Sequence, residues 1–373
     1  MNMVRGLAAR ALSVEPQSHR SLRAWQLAFA RMLQWGRSCT DSLLFGHYTS
    51  ILTQPYQNNH IAYMDSYRNH YDVTNQVDTT DPVAVNAEVN RIFLELYWPE
   101  YTARIDRAFR DVALLYSGKY PGYHACDTAY HDIQHVLDMT LAMARLMHGF
   151  ERARIVTASL QARLFNLGIV TALFHDAGYV RRLDDTEHAN GGELTLIRVS
   201  RGAEFLRSYL PQIGMGDLAE IAADLIHFTG YEIPVARIEV PSLRYKLLGS
   251  FLGTADIIAQ MSDRCYLEKC RDRLYPEFLA GGIARKRLPE GGEQVVFESG
   301  DDLVMKTPQF YRTAMGRLDG DLGSSYRYAE THFGGSNLYL DEIGKNVRFA
   351  QAIDGQGNTS ALRRTPPETL ARA

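Results

Sequence analysis

Residues 167–179 read LGIVTALFHDAGY: an apolar run that stops at His175-Asp176 and then turns through Ala177-Gly178-Tyr179. The run is far shorter than the roughly 20 apolar residues a membrane span needs, so it is expected to be a buried helix ending in two polar side chains. An adjacent imidazole and carboxylate at the end of a buried helix are costly unless the carboxylate is neutralised. A divalent cation does this, with imidazole nitrogen and carboxylate oxygen as ordinary ligands. The alternative is a simple helix end, with His175 capping carbonyls and Asp176 opening a turn closed by Gly178.

The surrounding chain is patterned in the same way. Helical spacing of apolar residues recurs over 22–33 and 82–96, and in four longer segments at 130–147, 152–175, 217–227 and 243–278. A shorter helical pattern at 192–210 is stopped by Pro211. The best period-2 run, 294–297, is short, and Gly291-Gly292 before it suits a surface hairpin or loop. These features predict an all-α fold. The expected layout is an N-terminal helical region over 1–119 with a loose arm to Ser18 and a loop at 51–81. A helical domain over 120–280, a helical extension over 281–354 and a disordered tail over 355–373 follow.

Composition narrows the function classes. Lys and Arg number 40 against 43 Asp and Glu in 373 residues, a net charge of -3, which argues against a broad nucleic-acid-binding surface. The four cysteines, Cys39, Cys126, Cys265 and Cys270, show no zinc-finger spacing. Their scarcity fits a reducing compartment, and with no membrane-length apolar stretch the expected location is cytoplasmic.

Seven of the twelve histidines fall between His124 and His227. His131 and His135, four apart, share one face if 130–147 is helical throughout; as an isolated pair they also suit a surface or a satisfied core. Asp256 stands among Leu252, Gly253, Ala259 and Gln260, where a carboxylate is poorly solvated. Metal ligation explains that position; a polar helix face of Asp256, Gln260 and Asp263 is the alternative.

Taken in order, Tyr130-His131 with His135, the apolar run into His175-Asp176, a later His, and the apolar helix ending Ala255-Asp256 resemble the HD superfamily of metal-dependent phosphohydrolases. The Tyr130–His135 stretch is also similar to the signature of class I cyclic nucleotide phosphodiesterases. The resemblance covers roughly 120–280 and implies an HD-domain helical bundle converging on one or two divalent ions (Mn, Mg, Fe, Zn or Ni). It implies a first site of His135, His175, Asp176 and Asp256, with Asp176 bridging to a second ion held by His188 and His227. It further implies catalytic roles for Asp176, holding the attacking water, and for His131, protonating the leaving oxygen. Tyr179 stands where many members carry lysine, and no counterpart of a purine-clamping glutamine is found. Arg181 and Arg182 are candidates for gripping substrate phosphate, although paired surface arginines are commonly only solvated.

The expected activity is hydrolysis of a small phosphorylated substrate, a phosphomonoester or phosphodiester of nucleotide type. Neither membrane nor nucleic-acid partners are expected, and homo-oligomerisation is left open. Two other readings stand beside it: an HD-type di-iron oxygenase using the same ligands, and a non-catalytic nucleotide-binding regulatory module.

Overall fold

The computed structural model describes residues 68–153, 159–288, 291–356 and 359–369. The N-terminal arm and the helix expected at 22–33 lie outside the described residues, as does the part of the expected loop before residue 68. The class is all-α, as the periodicity predicts: helices carry most of the described chain, and two short strands form a surface hairpin.

Residues 68–81 are irregular and tied together by one carboxylate. Asp72 accepts hydrogen bonds from the backbone amides of Thr74, Gln76 and Val77 and pairs with the buried Arg145. Helix α1 (Pro82–Leu94) begins where Asp81 caps it by accepting from the Val83 amide, with proline in the first turn, where its missing N–H costs nothing. Helix α2 (Ala103–Tyr116) buries Ile105, Ala108, Phe109, Val112 and Leu115, a stripe at helical spacing.

Helix α3 (Ile133–Arg152) is the central rod. It is buried on nearly every side, and α1, α4 (Gln161–Leu173), α7 (Leu243–Ser262) and α12 (Tyr328–Phe333) all pack against it. Its tightest crossing depends on Gly149, where a Cβ would lie 1.8 Å from the Tyr328 carbonyl oxygen. The helix starts later than the 130–147 pattern suggests. Asp132 is its N-cap, accepting from the His135 amide at 3.0 Å, a bond type that stabilises a helix by about 1 kcal/mol. His131 therefore lies in the turn before α3 rather than on its face.

The periodic segment over 152–175 is likewise shorter in the structure: α4 ends at Leu173, which leaves His175 and Asp176 in the turn beyond it. Helices α5 (Arg198–Tyr209) and α6 (Ala219–Leu225) flank this end of the bundle. The segment 243–278 is not one helix. It breaks after α7 at Asp263, whose ψ of 131° is extended and whose carboxylate accepts from the Cys265 amide. It resumes as α8 (Tyr266–Lys269), widens into a π-type turn at Cys270–Leu274 and closes as α9 (Tyr275–Ala280).

Strands β1 (Arg285–Arg287) and β2 (Glu293–Val295) pair antiparallel around Gly291-Gly292, both at positive φ, as the turn residues predict. Helices α10 (Gly300–Met305), α11 (Thr307–Asp319), α12 and α13 (Leu338–Gln356) then fold back onto the bundle, α12 against α3 and α13 against α7. The expected disorder of the tail is corrected for residues 359–369, which lie along the bundle. Arg273 donates to the carbonyls of Pro366 and Pro367, and Thr369 bonds the N-cap residue Asp132. Backbone carbonyls satisfied by a partly buried arginine hold a segment that has few apolar side chains of its own.

Candidate metal centre

Three segments far apart in sequence meet at one end of the bundle. His135 comes from the first turn of α3, His175 and Asp176 from the turn after α4, and Asp256 from the middle of α7. His135 Nε2 lies 3.3 Å from Asp176 Oδ2, 3.4 Å from Asp256 Oδ1 and 3.3 Å from His175 Nε2. His175 Nε2 is 3.2 Å from Asp176 Oδ2 and 3.9 Å from Asp256 Oδ1. Ligand atoms bound at about 2.1 Å to one ion are separated by roughly 3.0–3.4 Å in octahedral or tetrahedral arrangements. Four of the five measured spacings fall within that range, and the His175–Asp256 spacing of 3.9 Å lies above it.

The donor atoms are also prepared for an ion. His175 Nδ1 bonds the Ala172 carbonyl at 2.8 Å, which places its proton there and leaves the Nε2 lone pair facing the cluster. Asp176 is buried, and its Oδ2 has no hydrogen-bond partner. A buried carboxylate oxygen with no donor is costly, and a cation within the cluster removes that cost. His135, His175 and Asp176 thus form a buried group able to hold a metal ion, and Asp256 adds a fourth donor from the opposite wall.

Electrostatics show how strongly the two carboxylates attract positive charge. Burial disfavours a charged imidazole at His135, but the carboxylates of Asp176 and Asp256, 3.3 and 3.4 Å away, outweigh it and push its pKa up to about 10. Burial alone would raise both carboxylates. His175 and Arg198 instead hold Asp176 well below the usual carboxylate range, and His135 with His175 keeps Asp256 low. Two carboxylates kept ionised in a buried site require nearby positive charge.

One cation is supplied by the chain itself. Arg198, the first residue of α5, donates from Nη1 to Asp176 Oδ1 at 2.8 Å, and both side chains are buried. The approach of α5 depends on Gly178, where a Cβ would fall 1.8 Å from the Arg198 carbonyl oxygen. Arg201 secures the same junction by donating to the carbonyls of Gly178 and Val180.

His131 stands beside the cluster, stacked on Tyr179 with ring centroids 4.2 Å apart. Its Nδ1 lies 2.6 Å from Glu277 Oε2, and Glu277 Oε1 accepts from the Tyr130 amide. The carboxylate fixes the ring, so Nε2 faces the cavity, near the Tyr179 hydroxyl at 3.5 Å.

The second ligand pair is not assembled. His188 bonds Asp185 through Nδ1 at 3.0 Å, away from the cluster. The His227 Nδ1 is buried without a partner, and burial, with Arg207 nearby, lowers its pKa to about 4. Neither belongs to the metal-binding group, and Asp176 Oδ1 is held by Arg198. The paired arginines take up the other role named for them, away from the cavity. Arg181 braces Asp127 and the His188 carbonyl, Arg182 pairs with Asp184 at the surface, and neither lines the cavity over the cluster. Arg198 and Glu277 were not singled out from sequence. The signal available for Glu277 was Pro276, which marks a disturbance in the helical run; Arg198 carried none.

No helix among the described residues is long and apolar enough to cross a membrane. Comparison with models of protein families, with curated proteins and with solved structures finds no match to this chain.

Proposed function

We propose that this protein is a metal-dependent phosphohydrolase of the HD type, working with a single divalent ion held by His135, His175, Asp176 and Asp256. The observation that carries this reading is the orphaned Asp176 Oδ2, facing two imidazole Nε2 atoms within 3.3 Å. Such an ion would make water a competent nucleophile near neutral pH and draw charge from a phosphoryl oxygen. The residues around it supply the rest. Arg198 presents a fixed positive charge to the same cavity, suited to a phosphoryl oxygen. His131 offers Nε2 to the leaving oxygen, and Glu277 keeps the other ring nitrogen protonated, so the imidazole can pass on a proton without turning.

The count of one ion follows from the ligand atoms, since Arg198 occupies the oxygen of Asp176 that a second ion would need. The same fact weighs against a di-iron oxygenase. A regulatory module without catalysis has no need of the His131–Glu277 pair beside the cluster.

Protein purified without chelator and reloaded with Mn2+ should hold one ion per chain by elemental analysis. It should cleave p-nitrophenyl phosphate or its bis ester. Coloured protein that consumes dioxygen, or two tightly bound ions per chain, would be the contrary result.

A further inference from the structure

The cavity over the cluster divides into two chemically different ends. The inner end carries His131, Asp176, Arg198 and Asp256; the outer end is walled by Ile257, Leu274, Phe278, Phe297, Leu303 and Phe310. Phe278 and Phe297 are stacked, with planes 26° apart. The outer wall thus comes from the α7–α9 region and from the returning α10 and α11.

Polar side chains are present along this wall, and the four threonines among them use their hydroxyl protons within the protein. Thr195 donates to the Gly192 carbonyl, Thr229 to Ile226, Thr307 to Leu303 and Thr313 to Gln309. Each therefore spends its proton on the backbone. Gln260 donates to the Asp256 carbonyl and accepts from the Tyr130 hydroxyl. Lys306 is held by Asp302 and the Val296 carbonyl. A sugar entering here would exchange water for few new hydrogen bonds, a loss for each hydroxyl buried. A polyphosphate would need a further cation beyond Arg198, and Lys306 is already paired with Asp302.

We propose that the phosphoryl substrate of this site carries a compact apolar or aromatic ester group rather than a nucleoside. The inference rests on the phosphohydrolase reading and names its substrate class. The phosphoryl group lies at Arg198 and the four-ligand cluster, and the organic group lies between the Phe278–Phe297 pair and Phe310.

Binding of non-hydrolysable probes to the full chain loaded with Mn2+ tests this by calorimetry. Phenylphosphonate should bind at least about tenfold more tightly than methylphosphonate or ribose 5-phosphate, as expected for burying one ring. Phe310→Ala should reduce that preference severalfold and leave methylphosphonate affinity unchanged. Phe278→Ala, at an independent position, should do the same should the first variant fold poorly. Equal affinity for phenylphosphonate and methylphosphonate, or tighter binding of ribose 5-phosphate, overturns the inference and leaves the phosphohydrolase reading standing. Failure of every phosphonate to bind metal-loaded protein overturns both.

Discussion

Replacing Arg198 with Met keeps the length of the aliphatic stem and removes the charge that faces Asp176. The pair is buried, with side chains 8% and 1% exposed and a separation of 2.8 Å. Removing one partner of such a pair leaves the other charge unmatched, at a cost of about 3–5 kcal/mol. An unfolding entropy of about 2.1 cal/mol/K per residue over 373 residues gives about 0.8 kcal/mol/K. One kcal/mol then moves Tm by about 1.3 °C, and the variant should melt about 4–6 °C below wild type in chelator. Adding Mn2+ should narrow that gap. The guanidinium is a fixed positive charge beside the cluster, so its loss strengthens divalent binding, and a ligand that binds only the folded chain raises stability with its affinity. Thermal melts of both proteins, with chelator and with saturating Mn2+, read both effects. A variant as stable as wild type in chelator, or a gap that Mn2+ leaves unchanged, would refute the assignment of Arg198 as the cation balancing Asp176.

His131→Ala should lower kcat by about 10²–10⁴, the usual contribution of a positioned general acid, while bound metal stays constant by elemental analysis; loss of metal would make His131 a ligand instead. Glu277→Gln should lower kcat and leave KM nearly unchanged, because it acts by orienting His131 and does not touch substrate; a matched rise in KM would point to a distorted pocket. Asp138 behaves differently again. Burial, with Asp263 and Asp72 nearby, pushes its pKa up to about 7, and its Oδ1 has no hydrogen-bond partner. The folded chain then keeps a proton that the unfolded chain releases above about pH 4, so stability contributed here falls as pH rises from about 4 to 7. Asp138→Asn should leave the urea midpoint near wild type at pH 4 and raise it at pH 8, by an amount corresponding to about 1–2 kcal/mol and at most about 4. An equal effect at both pH values would exclude an ionised Asp138 as the source.

Much of the fold was legible because it depends on local pattern. The helical spacing from Pro82, the apolar run into His175-Asp176 and the Gly291-Gly292 turn each carry their own signal, and each forms the predicted element. His175, Asp176 and Asp256 were legible for a related reason: a histidine or carboxylate embedded in apolar helical sequence is anomalous wherever the helix packs, whereas His135 as a ligand followed from the resemblance in residue order. His188 and His227 satisfied the expected order of residues, but order along the chain does not fix where Asp176 Oδ1 points. That was decided by Gly178, which lets the backbone of Arg198 press against the turn and deliver a guanidinium to that oxygen.

Glu277 shows most clearly what periodicity conceals. The apolar spacing over 243–278 is consistent with a single helix, and in a single helix Glu277 would lie 21 positions beyond Asp256, about 31 Å along the axis at 1.5 Å per residue. No residue that far along a straight rod could share a cavity with Asp256. In the structure Glu277 stands directly behind that cavity, since His131 lines it beside Asp256 and is bonded to Glu277 at 2.6 Å. The reversal comes from two backbone events with chemical causes. At Asp263 the chain leaves helical conformation, and the carboxylate restarts it by capping the Cys265 amide. Ahead of Pro276, which lacks an N–H for the helical ladder, the turn at Cys270–Leu274 widens. Hydrophobic spacing survives both events because each short helix still buries one face, so a pattern that reports burial is blind to direction. The acid–base machinery of this site therefore depends on a bend whose sequence trace is one aspartate and one proline.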